Sequence, residues 1–135
     1  MLKFAVPLLL LAAGGAALSA DRHGYQAREA AEDQAKLDKV LAGYTPGKPQ
    51  DCIHNYASDN YETIRAGDTI LYKRGRLIYR TDTGGGCFGL RRGDAIITRE
   101  YSDQLCRGDI VRTVDLVSHT PSGSCSFGAF TPYTK

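Results

Sequence analysis

Four cysteines, Cys52, Cys87, Cys106 and Cys125, are the residues of this 135-residue chain best equipped for covalent chemistry. A thiolate next to a histidine is a nucleophile, and Cys87, beside Gly84-Gly85-Gly86, is the first candidate for one. The alternative is structural. An even cysteine count without a Cys-x-x-Cys motif reads as two disulfides, provided that the chain leaves the reducing cytoplasm. Each bridge would stabilise the fold by about 2–4 kcal/mol, mostly by restricting the unfolded chain. Four cysteines allow three pairings, and spacing does not choose among them.

Other reactive patterns are weaker. Gly84-Gly85-Gly86-Cys87-Phe88-Gly89 matches Gly-x-Gly-x-x-Gly. A dinucleotide site needs a strand before that loop and a helix after it, and β-type sequence follows instead. Ser124-Cys125-Ser126-Phe127-Gly128 resembles a degraded nucleophile elbow, with Ser126 as its hydroxyl. The elbow depends on an α/β fold that nothing here signals, and His54 or His119 would have to be delivered by folding. His23, His54 and His119 are scattered, so no metal site and no cofactor are expected. Asp68, Asp94 and Asp109 each follow a glycine before an apolar run, where an aspartate bonds the turn's backbone N–H groups.

The basic clusters are the least ordinary feature. Lys73, Arg74, Arg76 and Arg80 fall on one expected hairpin with Tyr72 and Tyr79, and Arg91-Arg92 lie in a later turn. Together they could present a basic, aromatic surface to an anionic envelope glycan, a lipid headgroup or an envelope protein. The plainer reading is an edge hairpin that carries Lys and Arg against aggregation.

These residues must be positioned by the elements around them. Residues 1–20 run from Lys3 through an apolar stretch, Phe4–Leu11, to small residues ending at Ala20, the order of a secretory signal peptide. Cleavage is expected after Ala20 or Ser19, and no later segment is apolar enough to span a bilayer. The expectation is therefore a soluble periplasmic or secreted protein. Residues 21–25 read as a frayed start. From Gln26 to Ala42 the composition is helical, with Ala30, Leu37, Val40 and Leu41 on one narrow face. Gly43 is placed to cap that helix, and Thr45-Pro46-Gly47-Lys48-Pro49 reads as a stiff linker. The helix either docks on the next module or stands as an arm.

After residue 50 the texture turns to Ile, Tyr, Thr and Val with turn signals every eight to twelve residues or so, as in all-β domains. Candidate strands are 52–56, 61–65, 69–73, 76–80, 95–101, 109–117 and 125–131. Gly67 and Gly75 mark tight turns between the second and fourth of them. The fold expected is a small disulfide-stapled antiparallel barrel or sandwich of about six or seven strands, preceded by one N-terminal helix. Its organisation is signal peptide 1–20, helical arm and linker 21–49, and β domain 50–135. The near balance of charge, +2 over the whole chain, and the export signal both exclude nucleic acid as a partner.

Leu37–Ile53, LDKVLAGYTPGKPQDCI, carries an Ala-Gly-x-x-x-Gly-x-Pro segment into Asp51-Cys52-Ile53. Further on come Asp68-Thr69-Ile70-Leu71-Tyr72, then Leu105-Cys106 before Gly108-Asp109-Ile110-Val111, and finally Phe127-Gly128-Ala129-Phe130-Thr131-Pro132-Tyr133. Over residues 37–135 these segments resemble small, exported, uncharacterised proteins of sphingomonad-type alphaproteobacteria. The resemblance implies a compact β domain with an N-terminal helix. Members without the second and fourth cysteines keep the first and third, which implies Cys52–Cys106 with Cys87–Cys125 rather than the nested Cys52–Cys125 with Cys87–Cys106. No activity is known for the group, so it implies no catalytic residue. The functional expectation is a non-enzymatic binding or structural module of the cell envelope. The alternative is a small secreted inhibitor of a hydrolase, plugging a foreign active site with loop 84–89 or 118–124. A hydrolase using Ser126 or a cysteine is a more distant one.

Overall fold

The computed structural model describes residues 15–56 and 59–135, with side-chain surroundings from Asp21 onward. Most of the signal-peptide reading therefore lies outside the described residues. Helix α1 spans Gly15–Leu41. The frayed start expected at 21–25 is helical instead. No proline interrupts the stretch, and a helix already nucleated propagates at little cost through residues that are individually poor formers. Gly43, with φ 78°, ends the helix as expected, and the Tyr44 N–H bonds the Leu41 carbonyl at 3.0 Å.

Among the described residues ten short strands follow: β1 Thr45–Pro46, β2 Cys52–His54, β3 Glu62–Ala66, β4 Thr69–Arg74, β5 Leu77–Asp82, β6 Ala95–Thr98, β7 Gln104–Cys106, β8 Ile110–Val114, β9 Pro121–Ser126 and β10 Thr131–Thr134. They form a five-stranded sheet in the order β1-β10-β5-β4-β3, a three-stranded sheet β6-β8-β9, and the pair β2-β7. Every ladder is antiparallel. The architecture is sandwich-like and mainly β, without barrel closure: β3 and β6 each have one hydrogen-bonded neighbour.

The strand count exceeds the six or seven expected, for two reasons. β1 and β7 are too short for any period to show. The expected strand 125–131 is really a crossover between sheets. β9 ends at Ser126, β10 begins at Thr131, and Phe127 and Phe130 are both buried between them. A Cβ on Gly128 would collide with the Asp82 carbonyl oxygen, so only glycine lets the crossover pass this close to β5. The stiff linker is also part of the sheet, because Gly47 N–H bonds the Pro132 carbonyl at 2.6 Å and Gln50 bridges Phe130.

Two cores flank the five-stranded sheet. On one face, Leu71 and Ile78 pack with Ala66 against Leu37, and Val40 and Leu41 of α1 close over them. The helix therefore docks. Arg91 ties the middle of the helix to the β domain through Asp33 and, at 3.5 Å, Glu29. On the other face, Ile70 and Tyr72 meet Val111 and Cys125 of the three-stranded sheet, with Ile53, Leu105, Phe127 and Phe130 between. Along β8, Val111 and Thr113 are the buried positions and Ile110 is exposed.

All four cysteines are bonded, Cys52 to Cys106 and Cys87 to Cys125. Cys52 and Cys106 are direct cross-strand partners in the β2-β7 pair. The second bridge joins the glycine loop to β9.

Candidate functional site

The hairpin residues singled out above do not share a surface. A strand alternates its faces, so cross-strand partners Tyr72 and Tyr79 point with Arg74 toward the inner core. Lys73 and Arg80 belong to the opposite face, and Arg76 sits in the turn. Three of the four charges are also answered locally. Lys73 approaches Glu62 at 4.0 Å, Arg74 pairs with Asp59 and lies 5.4 Å from the Tyr61 ring centre, and Arg80 reaches Asp82 at 3.3 Å.

The reactive motifs are dispersed too. Ser126 ends β9 opposite Ile110 and leads into the buried crossover rather than a helix. His54 stacks on Tyr56, and His119 sits in an exposed turn with φ 57°. Among the described residues no group of three or more His, Cys, Asp or Glu is arranged to hold a metal. Asp109 plays the turn role expected, accepting the Cys106 N–H at 2.8 Å. Asp94 instead binds the Arg92 guanidinium at 2.8 Å. The guanidinium and the Ser122 hydroxyl hold its carboxyl below the usual carboxylate range.

What the fold does assemble is a cleft of about 510 Å³ where the sandwich stays open between the β3 and β6 edges. Its walls are built by strand alternation. Thr63 and Arg65 face inward from β3, because their cross-strand partners are Tyr72 and Ile70. Ile96 and Thr98 face inward from β6, opposite Thr113 and Val111. Tyr72 and Leu105 form the floor, and Asn55, Tyr56 and Tyr61, between β2 and β3, and Glu100 and Asp103, between β6 and β7, stand at the rim.

The electrostatics of this cleft are uneven. Arg65 makes no ion pair among the described residues, and its Nε is buried without a hydrogen-bond partner. A buried donor left in that state is costly. Glu100 is held by the Asn55 side-chain amide. Burial pushes the Tyr72 hydroxyl well above its ordinary value; the Arg65 charge opposes that shift and Glu100 reinforces it. Tyr61, raised mainly by burial, packs edge-on against Tyr72 and Tyr79 at 6.1 and 6.3 Å and gives its hydroxyl to the His54 carbonyl at 3.3 Å. Both hydroxyls therefore stay protonated as donors. Backbone strain collects at the same rim. Asn60, Ser102 and Asp103 hold positive φ values of 47°, 61° and 53°, a conformation that side-chain-bearing residues rarely adopt.

Of the residues chosen from the sequence, only Tyr72 lines this cleft. Arg65, Glu100 and Tyr56 are not singled out in the sequence reading. The signal that could have found Arg65 is the pattern Thr63-Ile64-Arg65-Ala66: if Ile64 and Ala66 cover the helix, a charge is committed to the inner face. No protein-family model matches this chain, and no curated protein or solved structure compared with it is significantly similar.

Proposed function

We propose that the protein is a non-enzymatic binding module working outside the cytoplasm, with the cleft between β3 and β6 as its ligand site. Two disulfides support an oxidising, non-cytoplasmic setting. The observation that carries the binding role is Arg65, a cation with no ion pair among the described residues, lining a cleft together with Tyr72. A guanidinium and a phenol set side by side suit a carboxylate or a similar oxyanion. Asn55, Glu100 and Asp103 at the rim suit the polar remainder of the same ligand.

Thermal shift with acetate, glutarate and galacturonate tests this reading. At least one should raise Tm in the wild type and leave Arg65→Gln unmoved. An equal shift in both proteins, or none in either, would remove the cleft as the site.

One observation favours the inhibitor reading as a second. Phe88 is 81% exposed although its neighbour Cys87 is buried and bonded to Cys125. A large apolar side chain on a covalently braced loop would enter a foreign pocket with little loss of entropy. Assays against a panel of secreted hydrolases should then show inhibition that Phe88→Ser abolishes; unchanged inhibition would end this alternative.

A further inference from the structure

The edge of β3 that borders the cleft is itself unpaired. Among the described residues its only hydrogen-bonded neighbour strand is β4. Lys36 Nζ donates to the Arg65 carbonyl at 2.6 Å from the helix, so the backbone groups of Arg65 point away from β4. Backbone direction in an antiparallel strand repeats every second residue, so the Thr63 N–H and carbonyl point the same way. Among the described residues, three strand groups therefore stand open: both of Thr63 and the N–H of Arg65.

A second cavity of about 310 Å³ shares Thr63 and Arg65 with the first and is walled by the loop Leu90–Gly93. The two cavities share the β3 residues whose backbone is open, with β6 facing them across the larger one. From the reading above, in which the cleft binds an anionic group on Arg65, we infer that the occupant is an extended peptide that adds as a strand to β3. Main-chain bonds to Thr63 and Arg65 would hold its backbone, as in other strand additions. Every second side chain then enters the larger cavity, where Arg65 lacks a counter-ion. Charge selects an acidic residue at that position. Glu100 and Asp103, at the rim of the same cavity, select hydroxyl or amide side chains next along. A glycan could match the charges but not the row of backbone donors and acceptors.

The experiment uses fluorescein-labelled hexapeptides of threonine with one central glutamate, read by anisotropy. Three controls accompany them: the glutamine version, a version N-methylated at alternate amides, and an oligogalacturonate. The glutamate peptide should bind, and N-methylation should weaken it by about tenfold or more, the loss of two or so backbone bonds. Thr63→Pro should weaken it similarly, because an edge strand tolerates proline where its N–H faces outward. The peptide controls keep the test valid should that variant misfold. Binding that survives N-methylation but is lost in Arg65→Gln would overturn strand addition and leave the cleft intact. Binding indifferent to both changes would remove the two together. Oligogalacturonate binding without peptide binding, or no response to any peptide, would also overturn the inference.

Discussion

The two larger sheets are held by different means. The five-stranded sheet contains no cysteine, and both of its faces are covered, one by α1 and one by the facing layer. The three-stranded sheet is covered on its inner face only. Its outer face shows Ile97 and Ile110 to solvent, and a disulfide at Cys125 ties its β9 to the glycine loop. Its flanking turns are fixed by carboxylates: Asp94 through Arg92, and Asp115 through the Val117 and Ser118 N–H groups at 2.8 and 2.9 Å. Ion pairs serve both sheets, but where hydrophobic burial acts on both faces no disulfide is present, and where it acts on one a disulfide appears. That division follows from surface-to-volume limits on so small a domain.

Leu71→Ala should break the comparison most strongly. It empties the fully buried centre of the helix-side core and should cost about 2–5 kcal/mol by denaturant titration. Replacing Cys87 and Cys125 together by alanine should cost about 2–4 kcal/mol. Hydrogen exchange should then show β6, β8 and β9 opening before β4 and β5. Equal loosening of both sheets would contradict the division. Arg91→Ala removes partly exposed ion pairs to α1 and should cost only about 0–1 kcal/mol, with faster exchange confined to the helix.

The gentlest probe is pH. The carboxyls of Asp94 and Asp115 are both held below the usual carboxylate value, Asp94 mainly by Arg92 and Asp115 mainly by the Ser118 and Val117 backbone. A depressed folded-state value means that the unfolded chain binds protons first as pH falls. The stabilisation is complete above the ordinary carboxylate value and is lost as pH drops below about 4. Tm should decline there, less steeply in Asp115→Asn, and β6–β8 amides should report the loss first. A pH response confined to the five-stranded sheet would refute the assignment.

The sequence makes parts of this fold readable and hides others for physical reasons. Gly67 and Gly75 announce the β3-β4-β5 meander because two-residue turns need positive φ, and both have it, at 57° and 59°. The docking stripe at Leu37, Val40 and Leu41 is readable as helical spacing. The disulfide pairing was implied by the resemblance alone, since spacing left three options open. The basic hairpin misled because clustering in sequence is not clustering in space. Strict alternation already assigns Tyr72 and Lys73 to opposite faces. The cleft was hidden most deeply. Arg65, Tyr72, Ile96 and Glu100 come from four segments that only the pairing of the sheets brings together.

The position of β10 has a further consequence. Thr131–Thr134 lies between β1 and β5, so residues 45–46 find their partner only after more than eighty intervening residues have been made. Until then the sheet ends at β5 with a raw flank, and the crossover that fills the inner core with Phe127 and Phe130 is missing as well. Closing such long-range contacts late is slow, because loop entropy must be overcome before the contacts reward it. The sheet thus locks only when β10 fills the gap between β1 and β5.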